Sequence, residues 1–208
     1  MVRISGGQLR GRRLHVPTEG WIRPTMGRVR ESLFSMLARH IREALVLDLY
    51  AGCGLLGLEA ISRGARHSFF VDLEWKAVQF IEKNVTLCGL PSRSTLLQGD
   101  VRLHSTLERV KQLANPMVTE QHPGFPSAGG GACFDLVFLD PPYRQGLIAG
   151  TLAVLEQTCL LAPGAIIVVE QEAEAAPEPS APWPLLQNRR YGNTRLLLWQ
   201  TPPQESRL

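Results

Sequence analysis

An apolar run that ends in a glycine turn limits the folds open to this chain more than any other stretch. It reads Val46-Leu47-Asp48-Leu49-Tyr50-Ala51-Gly52-Cys53-Gly54-Leu55-Leu56-Gly57-Leu58-Glu59-Ala60. Gly52, Gly54 and Gly57 match G-x-G-x-x-G between an apolar strand and a helix, and Asp72 stands 20 residues after Gly52 at the end of the next strand. In a strand–turn–helix unit, such glycines let the backbone approach a ligand, and such an acid binds ribose hydroxyls.

The rest of the chain continues the alternation this unit begins. Strands are expected over residues 44–50, 67–72, 93–98, 134–139 and 165–170, and helices over 55–63, 75–88, 101–113 and 147–161. Residues 185–191 and 194–200 read as an antiparallel pair around Gly192-Asn193. Ahead of these lie a short β element within 3–16 and a helix over 25–40, with Thr25 as its cap. The loop at 114–133 and the Pro-, Ala- and Glu-rich stretch at 173–184 carry no apolar period, and no internal repeat is present. Alternation of this kind predicts an α/β fold: a mostly parallel sheet, seven-stranded, with helices on both faces.

Charge divides the chain unevenly. Its 208 residues carry a net charge of only +3, yet residues 1–43 hold nine arginines and three glutamates, which leaves −3 on the remainder. Nineteen of the 22 basic residues are arginine, whose planar fork suits phosphate and whose plane stacks on bases. The reading is a basic extension over 1–43 followed by a main domain over 44–208. Cys53, Cys88, Cys133 and Cys159 form no CxxC pair, so free thiols are expected, with neither disulfides nor a metal site. No apolar stretch is long enough to span a membrane, and residues 1–7 lack the apolar core of a signal peptide. A cytoplasmic protein is expected, and nothing requires more than a monomer.

The kind of nucleotide follows from charge. A carboxylate beside a pyrophosphate at a helix N-terminus is repulsive. Asp48, four residues ahead of Gly52, suits a cationic ammonium group instead. S-adenosylmethionine carries that group and a ribose for Asp72, and has no phosphate. Asp100, ending the third strand, either accepts from an adenine amine or caps the following helix.

The second signal is Asp140-Pro141-Pro142-Tyr143, directly after the fourth strand of the alternating series. Two prolines remove two amide donors and stiffen the backbone. Asp140 and the Pro141 carbonyl can together accept both N–H bonds of a planar amine, and Tyr143 can stack on a base.

Asp-Pro-Pro-Tyr with the 48–57 segment resembles the class I S-adenosylmethionine-dependent amino-methyltransferases that act on nucleic-acid bases. The blocks Arg3-Ile4-Ser5-Gly6-Gly7, Gly11-Arg12-Arg13-Leu14, Arg23-Pro24-Thr25 and Arg28-Val29-Arg30-Glu31-Ser32-Leu33-Phe34 narrow the likeness to the RsmD-type family. Leu58 to Ala65 and Arg190-Tyr191-Gly192-Asn193-Thr194 agree with it. The resemblance implies a Rossmann-like class I fold and methylation of the exocyclic N2 of a guanine in small-subunit (16S) ribosomal RNA, as RNA or within a 30S assembly particle. It implies a donor held by Asp48, Tyr50, Ala51, Gly52, Gly54, Gly57, Asp72 and Asp100. The amine falls to Asp140, Pro141, Pro142 and Tyr143, and RNA phosphates to Arg10, Arg12, Arg13, Arg23, Arg28 and Arg30. Departures are Cys53 for serine, Tyr50 for phenylalanine, Met26-Gly27 for a polar pair, and a long 114–133 loop. Two other readings stand beside this one: an amino-methyltransferase acting on adenine N6 in DNA or RNA, and a non-catalytic nucleotide-binding protein.

Overall fold

The computed structural model describes residues 2–17, 27–121, 134–142, 146–174 and 181–203. Strands β1 (Val2–Arg3) and β2 (Arg13–Leu14) form a small antiparallel pair. Helices α1 (Gly27–Met36) and α2 (Ala38–Ile41) follow, then β3 (Leu45–Leu49), α3 (Leu55–Ser62), β4 (His67–Asp72) and α4 (Trp75–Cys88). Next come β5 (Ser94–Gln98), α5 (His104–Gln121), β6 (Phe134–Leu139) and α6 (Leu147–Thr158). The chain closes with β7 (Leu161–Glu172), β8 (Leu185–Tyr191) and β9 (Thr194–Gln200).

Seven strands form one sheet in the order β5-β4-β3-β6-β7-β9-β8. The first five run parallel, and β9 is antiparallel to both β7 and β8. Alternate residues of β3 feed opposite layers. Leu45, Leu47 and Leu49 pack with Leu107, Val110, Leu152 and Leu155 of α5 and α6. Val46 packs with Val29, Leu33, Phe34 and Leu37 on the other face. This is the period-two pattern of a strand covered on both sides.

Several expected bounds differ: the helix expected from 101 begins at His104, the one expected to 161 ends at Thr158, and the strand expected over 165–170 runs Leu161–Glu172. Two differences are larger. The helix expected over 25–40 is two helices, broken at Leu37, and Thr25 lies outside the described residues. The loop expected from residue 114 is helical to Gln121, with Pro116 inside α5. Packing outweighs the lost amide donor there: Ala114 is buried, Met117 packs on the same core, and its carbonyl accepts from Arg66 Nη1 at 3.4 Å.

The N-terminal arm is seated on the sheet's cover. Ser5 donates its amide and hydroxyl to Glu59 of α3 at 2.8 and 2.7 Å, and Gln8 N donates to the Ser62 carbonyl at 2.8 Å. Gly7 permits that approach, since a Cβ there would stand 1.9 Å from the Ser62 oxygen.

Candidate active site

The order of strands reverses between β3 and β6, where the chain winds first one way and then the other. Ligands of open α/β sheets lie outside the carboxyl ends of the strands at such a point. Leu49 pairs with Leu139, the last rung of that ladder, so Tyr50 and Asp140 leave the sheet side by side. Asp72 ends β4 and Asp100 follows β5, the next strands outward. The structure therefore gathers the expected acids along one edge.

The glycine turn is built as its spacing requires. Gly52 and Gly54 have φ of 59° and 79°, the left-handed region that side chains disfavour. Gly57 serves close packing: a Cβ there would stand 2.3 Å from Phe70 Cε1 and 2.5 Å from Ser68 Oγ. The amides at the start of α3 point at carboxylates of the chain itself. Gly52 N donates to Asp72 Oδ2 at 2.8 Å, and Gly57 N to Asp48 Oδ2 at 2.9 Å. Ala51, at the same turn, is buried and donates to the Val71 carbonyl at 3.1 Å.

Those bonds test the ligand class. In a pyrophosphate site such amides face the phosphates; here carboxylates have already taken two of them. The crevice is acid-rich at Asp72, Asp100 and Asp140, and so fits a cationic, ribose-bearing ligand such as S-adenosylmethionine rather than a dinucleotide.

Asp48 takes a different part from the one its sequence position implied. It shares the parity of Val46, so its side chain points under α3, where it is 1% exposed and braces the turn. Burial pushes its carboxyl up to about 8, and the nearby Asp72 charge adds to the rise. It braces the glycine turn from beneath and does not line the crevice. Asp72 is half-buried, its carboxyl also raised by burial, and its second oxygen accepts from Glu74 N at 2.9 Å.

Asp100 does not cap α5, which begins at His104. It accepts from Arg102 N at 2.9 Å, Nε at 2.9 Å and Nη2 at 2.6 Å, and these bonds hold its carboxyl below the usual range. An adenine amine reaching this carboxylate would have to compete with Arg102. Asp140 is half-buried, Pro141 buried and Pro142 exposed, while Tyr143 lies outside the described residues.

The basic residues separate. Arg10, Arg12, Arg13 and Arg28 are exposed, and the first three line a groove of about 700 Å³ beside Leu87. Arg30 is not available to RNA. It is 5% exposed, stands 3.3 Å from Glu59 and donates to the Arg3 carbonyl at 2.6 Å. Arg23 lies outside the described residues.

Three residues escaped the sequence reading. Fully buried Asn84 donates to the Cys53 carbonyl of the glycine turn at 2.9 Å and pairs with both backbone groups of His15. Arg102 engages Asp100, and Thr151 meets Tyr50. Thr151 and Asn84 carried one available signal, a polar residue on the apolar stripe of a helix. Among the described residues no group of three or more His, Cys, Asp or Glu is placed to hold a metal, and no helix is long and apolar enough to cross a membrane.

Sheet order, glycine turn and C-terminal antiparallel pair together define a class I methyltransferase fold. A solved structure, yhhF from Escherichia coli, aligns with a TM-score of 0.76 at 34% identity over 98% of this chain and 99% of that one. An RNA methyltransferase from Salinibacter ruber in complex with S-adenosyl-L-homocysteine shares the fold alone, with a TM-score of 0.58 at 14% identity over 89% and 98%. Residues 2–200 match the family model described as conserved hypothetical protein 95, and the chain belongs to that family. Curated relatives named ribosomal RNA small subunit methyltransferase D include one from Escherichia coli K12, 37% identical over 98% of this chain and 91% of its own length. Another from Haemophilus influenzae is 34% identical over 96% and 93%. They place the chain in the RsmD-type family that its motifs resemble.

Proposed function

We propose that this chain transfers a methyl group from S-adenosylmethionine to the exocyclic N2 of a guanine in small-subunit ribosomal RNA. One observation carries the reading: the Leu49–Leu139 register, which makes the donor turn and Asp140-Pro141-Pro142 neighbours. The names of the relatives support ribosomal RNA as the substrate.

Gly52, Gly54 and Asp72 hold the donor, with Tyr50 and Ala51 flanking the turn, Asp48 and Gly57 bracing it, and Asp100 at the adenine end. When bound, S-adenosylmethionine supplies an electrophilic methyl on a sulfonium. The chain's own task is to present the nucleophile. Guanine N2 is weakly nucleophilic because its lone pair is delocalised into the ring, so orientation matters more than basicity. Asp140 and the Pro141 carbonyl accept the two N–H bonds of the amine, aim its lone pair and stabilise the positive charge it gains. Pro142 stiffens the loop, and Tyr143 supports the face of a base drawn out of its stack. The surplus proton leaves to Asp140 or solvent.

Residues 1–43 supply the RNA contacts, through the phosphates bound by Arg10, Arg12, Arg13, Arg23 and Arg28, and residues 44–208 supply the chemistry. The enzyme acts in the cytoplasm as a monomer, on RNA or a 30S assembly particle.

Asp140→Ala tests the site. Methyl transfer should fall at least about 100-fold, the scale of losing a charge-stabilising acceptor, while donor binding measured by calorimetry persists. Full activity in that variant would remove the proposed amine site.

A further inference from the structure

Tyr50 reaches away from the glycine turn that it begins. Its φ of 62° lies in the left-handed region, uncommon for a bulky side chain and kept only where surrounding structure enforces it. That backbone turns the phenol toward the α5–α6 layer, where its hydroxyl lies 2.6 Å from Thr151 Oγ1. Thr151 is fully buried, and its hydroxyl also lies 3.0 Å from the Leu147 carbonyl oxygen.

The direction of this chain of bonds follows from its end. A carbonyl oxygen only accepts, so Thr151 gives its single proton to Leu147, and Tyr50 must donate to Thr151. Burial raises the Tyr50 phenol above its ordinary value, so it keeps the proton that it donates. Leu147 and Thr151 form the first turn of α6, the helix that follows Asp140-Pro141-Pro142. Tyr50 directly precedes the donor turn. The bond thus clasps two segments beyond the last backbone rung between β3 and β6, at Leu49–Leu139.

We propose that Tyr50, acting through Thr151, is a positioning residue that sets the separation of the donor turn from the amine-holding loop. This rests on the reading of the site given above. The clasp is not needed to bind either partner singly; its effect is on the geometry of transfer, where small misplacements cost rate.

Y50F and T151V each remove the bond with little change of volume. Each should lower the single-turnover methyl-transfer rate about fivefold, the size of one buried hydrogen bond. Donor dissociation constants should stay within about twofold, and the double variant should be no slower than either single one, as expected for partners in one interaction. T151S should recover most of what T151V loses. Rates per folded molecule equal to the parent's, with only a lower melting temperature, would overturn the proposal, as would additive losses in the double variant. Asp140→Ala in the same assay separates the two failures. If it is inactive while Y50F is as fast as the parent, the clasp alone falls; if it is fully active, the site reading falls too.

Discussion

Asn84 shows how much one residue can carry. Its amide pairs with His15 as a neighbouring strand would, accepting from His15 N at 2.7 Å and donating to His15 O at 2.9 Å. Its other proton holds the Cys53 carbonyl. Asn84→Ala strands the buried Cys53 carbonyl and frees both backbone groups of the exposed His15, so stability should drop by roughly 2 kcal/mol, about 6 °C in melting temperature for a chain of this size. A loss below about 1 kcal/mol would mean that water replaces the amide readily. Glu59 is comparable: it is fully buried and takes Ser5, Arg30 and Arg63 together. Glu59→Gln leaves buried Arg30 without its countercharge and should cost about 3–5 kcal/mol by urea unfolding; a loss within experimental error would contradict that pairing. Composition could not separate Arg30 from its exposed neighbours, but position could. Arg30, Leu33, Phe34 and Leu37 fall on one helical stripe, and three of the four are core residues. Arg28 is off that stripe and exposed.

At the scale of elements, the alternation that predicted the sheet was legible because each apolar run ended in a turn signal. The β8 and β9 bounds match the expected 185–191 and 194–200, fixed by Gly192 between them. Helix α5 was less legible, since Asn115-Pro116 reads as a break and only contacts distant in sequence keep the helix going past it. Asp48 was misread for want of parity: as a strand residue it shares the face of Val46, beneath α3. Its burial has a consequence for pH. Between 3.8 and about 8 the folded protein keeps a proton on Asp48 that the unfolded chain has released, so stability falls as pH rises. Asp72, also raised by burial, adds to that fall. His67 works in the opposite sense. Burial, with Arg66 and Arg93 nearby, lowers it from 6.5 to about 4, so stability falls as pH drops through that window. The slopes oppose below 6.5, and above it only the fall from the raised acids remains, to about 8 for Asp48. Urea unfolding should therefore show a plateau followed by a decline through neutral pH. Asp48→Asn should flatten the decline and uncover a rise from about 4 to 6.5. A parent curve that rises through neutral pH would contradict the burial of Asp48.

For the whole molecule, the net charge of +3 conceals two surfaces of opposite character. Arg10, Arg12 and Arg13 of the arm are exposed beside an open groove, while carboxylates gather where the parallel strands end. The arm is no loose appendage: Ser5, Gln8 and His15 are bonded to α3 and α4, so the basic surface is held in fixed relation to the glycine turn. Reversing Arg10, Arg12 and Arg13 to glutamate should weaken RNA binding and flatten the slope of log affinity against log salt by about 2. Unchanged binding would remove the arm from the RNA interface. Because Asp-Pro-Pro-Tyr also resembles amino-methyltransferases acting on adenine, the methylated base is the deciding observation. The direct measurement is to treat small-subunit RNA and 30S particles with the purified protein and labelled S-adenosylmethionine, then digest and identify the methylated nucleoside. N2-methylguanosine at a single position, absent with Asp140→Ala, is the expected product. Label on adenine N6, or on DNA alone, would contradict it.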